Sequence, residues 1–201
     1  MTVSRRAALA AALLLPGASA AAQGPGDSLT TAGVYRASAL VDSVFIDRVL
    51  PGATVSPGDF GAYLLARLGV MPIPEDLRLR VAVDSAGVVL RGTIADLPLE
   101  ARRELGPLLG MFSPETPLTG LIRLDKVARE VVRFRLAGIT VNGVPLPEPF
   151  VARVMLDVGR RFPVLGRTGR DLFVEVPADA EVLLEPGRVR LIGPPAAPPL
   201  R

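Results

Sequence analysis

Carboxylates are the main residues in this chain that could be arranged for acid–base chemistry. Among 201 residues there is no histidine and no cysteine. That removes the commonest general base, the commonest neutral metal ligand, the thiol nucleophile and the thiolate metal site together. Serine–histidine and cysteine–histidine hydrolases are excluded on that ground. The 20 aspartates and glutamates remain, and their positions are those of local structure. Asp59, Asp84, Asp96, Asp125, Asp179 and Glu185 sit at expected caps and turns, where a short acidic side chain hydrogen-bonds nearby backbone. Asp157, Glu175 and Glu181 fall on the polar side of expected elements. They form no cluster, and no Asp-x-Asp-x-Asp-Gly run points to calcium. The chain reads as a protein that is not an enzyme and has neither cofactor nor metal. A carboxylate-based hydrolase is the catalytic alternative that this composition leaves.

The residues that do recur at meaningful spacing are apolar. Phe150, Val154, Val158 and Phe162 repeat every four positions and form a helical stripe, widened by Val151 and Met155. Phe60, Tyr63, Leu64 and Leu68 form a second stripe. Val132, Phe134 and Leu136 alternate with Arg133 and Arg135, the pattern of a half-buried strand. At 49% hydrophobic residues and a mean hydropathy of +0.40, the chain has enough apolar material to line a groove as well as fill a core. The candidates for such a groove are Phe60, Leu64, Phe134, Phe150, Val154, Met155 and Val158. The competing reading of each is packing in a dry core.

These stripes need elements to carry them. Ser56-Pro57-Gly58-Asp59 has a serine N-cap, proline at N1 and an acid at N3, so a helix is expected from there to Gly69. Leu77, Leu79, Val81 and Val83 alternate with Arg78 and Arg80, turn at Asp84 to Gly87, and return through Val88, Leu90 and Ile94 as a hairpin. Leu105, Leu108, Leu109 and Phe112 suit a helix broken or kinked at Gly106-Pro107. Leu118 to Leu124 with Val131 to Val141 make a second hairpin, after which Asn142-Gly143 turns the chain into the helix that follows Pro147. The closing strands are 171–176, 182–184 and 189–192. The stretch from Val34 to Leu50 suits both helix and strand, and the expectation is strand near its end.

The termini bound the domain. Arg5 and Arg6 precede a short apolar run, Ala7 to Leu15, and a small-residue cleavage site at Ala18-Ser19-Ala20 or Ala20-Ala21-Ala22. This is the pattern of a secretory signal peptide over 1–22, well short of the about 20 apolar residues that a spanning helix needs. The expected product is exported, periplasmic or extracellular, with no transmembrane span after cleavage. Ser4-Arg5-Arg6 leaves the twin-arginine route open beside the general one. A flexible segment (23–33), a single α+β domain (34–193) and a disordered proline-rich tail (194–201) are expected to follow. The formal charge of +3 falls to +1 without Arg5 and Arg6, the only lysine is Lys126, and there are two tyrosines and no tryptophan. Those are poor materials for nucleic-acid binding.

Pro57-Gly58-Asp59-Phe60-Gly61-Ala62-Tyr63-Leu64-Leu65 parallels Pro147-Glu148-Pro149-Phe150-Val151-Ala152-Arg153-Val154-Met155. Each is followed by a strand opening with Asp-Leu, at Asp76 and at Asp171, which suggests a repeated unit of helix, strand and strand. The expected fold is α+β, a curved antiparallel sheet with two to three amphipathic helices packed on one face. The leader, the Phe60-x-x-Tyr63-Leu64 helix, the alternating hairpins, the turn Val141-Asn142-Gly143-Val144-Pro145-Leu146-Pro147 and the closing Glu185-Pro186-Gly187-Arg188-Val189 together resemble small secreted bacterial proteins with a TULIP-like, half-tube lipid-binding fold. The resemblance implies a curved sheet wrapped around an apolar helix and a cavity for acyl chains between them. It carries over no catalytic residue. The partner it implies is a lipid or another apolar small molecule; the alternative is a structural or interaction module that contacts a protein of the cell envelope.

Overall fold

The structure, a computed structural model, describes residues 27–97, 99, 102 and 111–194. Helix α1 (Thr31–Val41) runs into a π-helical turn (Asp42–Ile46), and a short strand β1 (Gly52–Val55) leads to helix α2 (Pro57–Arg67). Strands β2 (Arg80–Asp84), β3 (Gly87–Thr93), β4 (Pro117–Ala128), β5 (Val131–Val141) and β6 (Val144–Pro145) follow, then helix α3 (Glu148–Arg161). Strands β7 (Asp171–Glu175), β8 (Glu181–Glu185) and β9 (Arg188–Ile192) close the described chain.

Local chemistry sets most of these boundaries. The Ser56 side chain accepts a hydrogen bond from the Asp59 N–H at 3.2 Å, and Pro57 opens α2. Thr30 Oγ1 does the same for Gly33 N–H at 2.9 Å, so α1 starts at Thr31 rather than beyond residue 33. Leu29 is already buried. The Asp84 carboxylate accepts from the N–H groups of Ala86 and Gly87 and closes the β2–β3 turn. Asn142 and Gly143, both at positive φ, make the tight turn between β5 and β6.

The described residues form an α+β arrangement with an antiparallel, curved main sheet, and among them no barrel closes. That sheet has the order β2-β3-β4-β5-β6, and β7 pairs with the other end of β5, from Val131 to Arg135. Two register shifts in β4–β5, at Leu121/Ile122 and at Lys126/Ala128, are bulges that increase the local bend and twist. A second sheet, β1-β9-β8, is joined to the first by a hydrogen bond from Gly187 N–H to Val83 C=O at 2.9 Å. Strand β1 has no sequence signature: its four residues are a strand because β9 pairs with them.

The core lies between α1–α2 and the inward faces of both sheets. Val81, Val83, Val88, Val132 and Phe134 belong to one buried cluster, which Val189 and Leu191 extend into the second sheet. Helix α2 sits close on β2: a Cβ at Gly61 would lie 2.7 Å from a methyl of Val81. Helix α3 is held differently, by backbone contact between Gly159 and Gly169, while Val158 and Phe162 reach the margin of the core. Buried Arg170 donates to Glu148 at 2.7 Å and ties the start of α3 to the start of β7.

Two expectations are corrected. The end of 34–50 is not a strand, because Val34, Ala37 and Phe45 are buried and Val41 is half-buried at helical spacing, and the π turn prolongs the helix. The proposed repeat is not equivalent in the sheet, since β2 pairs with β3, whereas β7 pairs with β5 and β8 with β9. Of the helix expected around Leu105, Leu108, Leu109 and Phe112, only Phe112 is described, exposed and in a bend; the other three fall outside the described part, as do the expected leader over 1–22 and all but the first residue of the tail.

Candidate functional site

Asp59, Asp96, Asp125, Asp179 and Glu185 occupy structural positions. Arg36 grips Asp59 with two hydrogen bonds, at 2.6 and 3.0 Å. Arg133 reaches Asp125 and Arg129 reaches Asp179, each at 2.9 Å. Asp96 accepts from the Thr93 N–H and hydroxyl. The hydrogen bond from Arg188 holds the Glu185 carboxyl below its ordinary range. Among the described residues, no three acidic side chains are grouped so as to hold a metal ion.

The apolar candidates separate into two groups. Phe60 and Leu64 on α2 meet Phe134 on β5 around a void of about 30 Å³, room for one water-sized occupant. Phe150, Met155 and Val158 lie on α3 and do not line that void. Met155 is buried, Phe150 is half-buried and Val158 packs against the margin of the core. Val154 is also on α3, with its side chain outside the description. The sequence pattern put both stripes in one groove because periodicity gives a face, not the partner that the face meets.

A larger depression adjoins the void. A groove of about 560 Å³ runs between the α1–π-turn segment, the last turns of α2 and the end of β7. Its walls include Val41, Phe45, Tyr63, Val174, Glu175 and Val176, which also border the void. Ser38, Asp42 and Arg67 add polar groups to it. A π-helical turn is a rare element that recurs at functional sites, and here it supplies Asp42, Phe45 and Ile46. Burial pushes the Tyr63 phenol above its ordinary value, Arg67 opposes the shift and Asp42 adds to it. Sequence reasoning passed over Val41, Phe45, Tyr63 and Val174 as site residues. Phe45 and Val41 would have been found from their spacing of four, had 34–50 been read as helix; nothing local marks Val174.

A second depression, about 530 Å³, lies on the other side of the β7 end and is more polar, with Arg48, Glu130, Glu175 and Asp179 in its walls. No helix among the described residues is long and apolar enough to cross a membrane. Compared with known protein families, with curated proteins and with solved structures, the chain matches none.

Proposed function

We propose that this protein is an exported, non-enzymatic domain that holds a lipid or a similar apolar ligand between the α1–α2 pair and β7. The observation that carries the reading is the adjacency of the open groove and the core void, which have six wall residues in common. An extended apolar chain entering between helix and strand would end against Phe60 and Phe134. The volume of about 560 Å³ falls in the range of about 300–1,000 Å³ usual for small-molecule sites. Ser38, Asp42, Arg67 and Glu175 make a large part of the wall polar, where a head group would sit, beside the apolar side chains of Val41, Phe45 and Val174. Native mass spectrometry of gently extracted protein tests this: a population heavier by the mass of a lipid is expected. A clean apoprotein that also fails to bind a fluorescent fatty acid would sink the reading.

A second reading, an interaction module of the envelope, is favoured by the edge of β7. The hydrogen bonds Leu136 N–H to Arg170 C=O and Val176 N–H to Glu130 C=O fix the phase of the β5–β7 ladder. The backbone groups of Phe173 and Glu175 therefore project away from β5 and face no strand among the described residues. An added strand from another protein would satisfy them. Co-purification of a stable protein partner with no lipid present would favour this reading over the first.

A further inference from the structure

The end of the π turn and the loop after it display apolar surface that the fold does not use. Ile46 and Val49 are each 69% exposed and Leu50 is 39% exposed, three large apolar side chains within five residues. The exposure is enforced by the backbone. Asp47 N–H donates to Asp42 C=O at 2.8 Å, and the N–H groups of Val49 and Leu50 both donate to Ser43 C=O, at 2.9 and 3.1 Å. Arg48 has φ 55°, the left-handed conformation that commonly closes a helix and usually belongs to glycine. In such closures the next residue folds its apolar side chain back onto the last turn. Val49 holds that place and leaves most of its surface to solvent instead.

We propose that residues 46–50 form a membrane-docking loop that inserts Ile46, Val49 and Leu50 into the interfacial layer of a lipid bilayer. Area favours a bilayer over a protein. A stable protein interface takes about 800 Å² from each partner, which three side chains do not supply, whereas interfacial docking needs only an apolar face sunk about 5–10 Å. Charge defines the kind of bilayer. Asp47 and Arg48 cancel within the loop, and in the adjoining groove Asp42 and Glu175 outnumber Arg67. Anionic lipid therefore offers no net attraction, and apolar burial drives binding. Area and charge favour a bilayer whatever the groove holds. Position adds a third reason, which rests on the proposed ligand site: Ile46 belongs to both loop and groove, so docking brings the groove to the bilayer surface.

Vesicle flotation of the full chain tests the loop separately from the groove. The wild-type chain is expected to rise with vesicles of phosphatidylcholine alone. Added phosphatidylglycerol, or about 0.5 M salt, should change the bound fraction less than about twofold. Ile46→Ser with Val49→Ser should lower partitioning about tenfold or more. Val144→Ser should leave it unchanged, since Val144 is 64% exposed at the far end of β5 from Val131, which borders the same depression as Arg48. The chain has no tryptophan, so Val49→Trp adds a single reporter, and its emission should shift to the blue on vesicle addition. Wild-type protein that stays at the bottom of the gradient, or a double serine variant that floats as well as wild type, overturns the proposal. So does a dimer that the double variant loses while neither floats, which would assign the loop to a second copy of the chain. A loop that docks while native mass spectrometry finds no lipid leaves the docking standing and removes the groove reading alone.

Discussion

The rings of Phe60 on α2 and Phe134 on β5 meet with centroids 5.7 Å apart and planes inclined by 57°. Both are buried, and the contact fastens the helix to the sheet beside the void that adjoins the groove. Phe60→Ala and Phe134→Ala are each expected to cost about 3–5 kcal/mol. A double-mutant cycle in urea should give a coupling of about 0.5–1.5 kcal/mol for the tilted pair. Phe150→Ala, at a half-buried position on α3, should cost less than about 3 kcal/mol. Equal losses at Phe60 and Phe150 would contradict the division of the apolar candidates into two groups.

Gly169 has φ 67°, and a Cβ there would fall on the carbonyl oxygen of Met155 in α3. Neither atom belongs to a flexible side chain, so the clash is relieved only by moving α3 off the loop. Gly169→Ala is expected to cost about 3 kcal/mol or more, from the left-handed conformation and the overpacking together. Thermal unfolding with probes in α3 and in β3 should show α3 affected first. An unchanged midpoint would mean that α3 is not held there.

Tyr63 makes stability depend on alkaline pH. Burial raises its phenol above the ordinary value of 10.0, against Arg67 and with Asp42. The folded chain therefore keeps its proton where the unfolded chain loses it. This stabilisation is complete below the unfolded value and is lost as pH rises through the folded one. Tyr63→Phe should flatten the fall in urea midpoint between about pH 9 and about pH 11. A variant that falls as steeply as wild type would assign that limb to other groups.

Ser38 is half-buried in the groove wall on α1, where a larger side chain fills space without disturbing the core. Ser38→Phe is expected to remove binding of a fluorescent fatty acid. The thermal midpoint should stay within about 2 °C, as for substitutions away from packed sites. Retained binding would place the ligand elsewhere.

Much of the secondary structure was legible because its causes are local. The caps at Ser56, the Asp84 turn and the Asn142-Gly143 turn each involve residues within a few positions of one another, and the hairpin strands alternate visibly. The end of the 34–50 stretch reads as extended because Val44-Phe45-Ile46 is a short run of β-branched and aromatic residues. Burial of Val44 and Phe45 against other elements overrides that local preference.

The sequence by itself determined the α+β class and the exclusion of histidine- or cysteine-dependent chemistry, since both follow from residue types and short periods. Only the tertiary structure decided that β7 leaves the closing strands to pair with β5, that β1 and β9 form a second sheet, and that the α2 and α3 stripes face different neighbours. The physical reason is that a groove is the space left between elements far apart in the chain. Tyr63 and Val174 share one although 111 positions separate them, and no local spacing encodes such a gap.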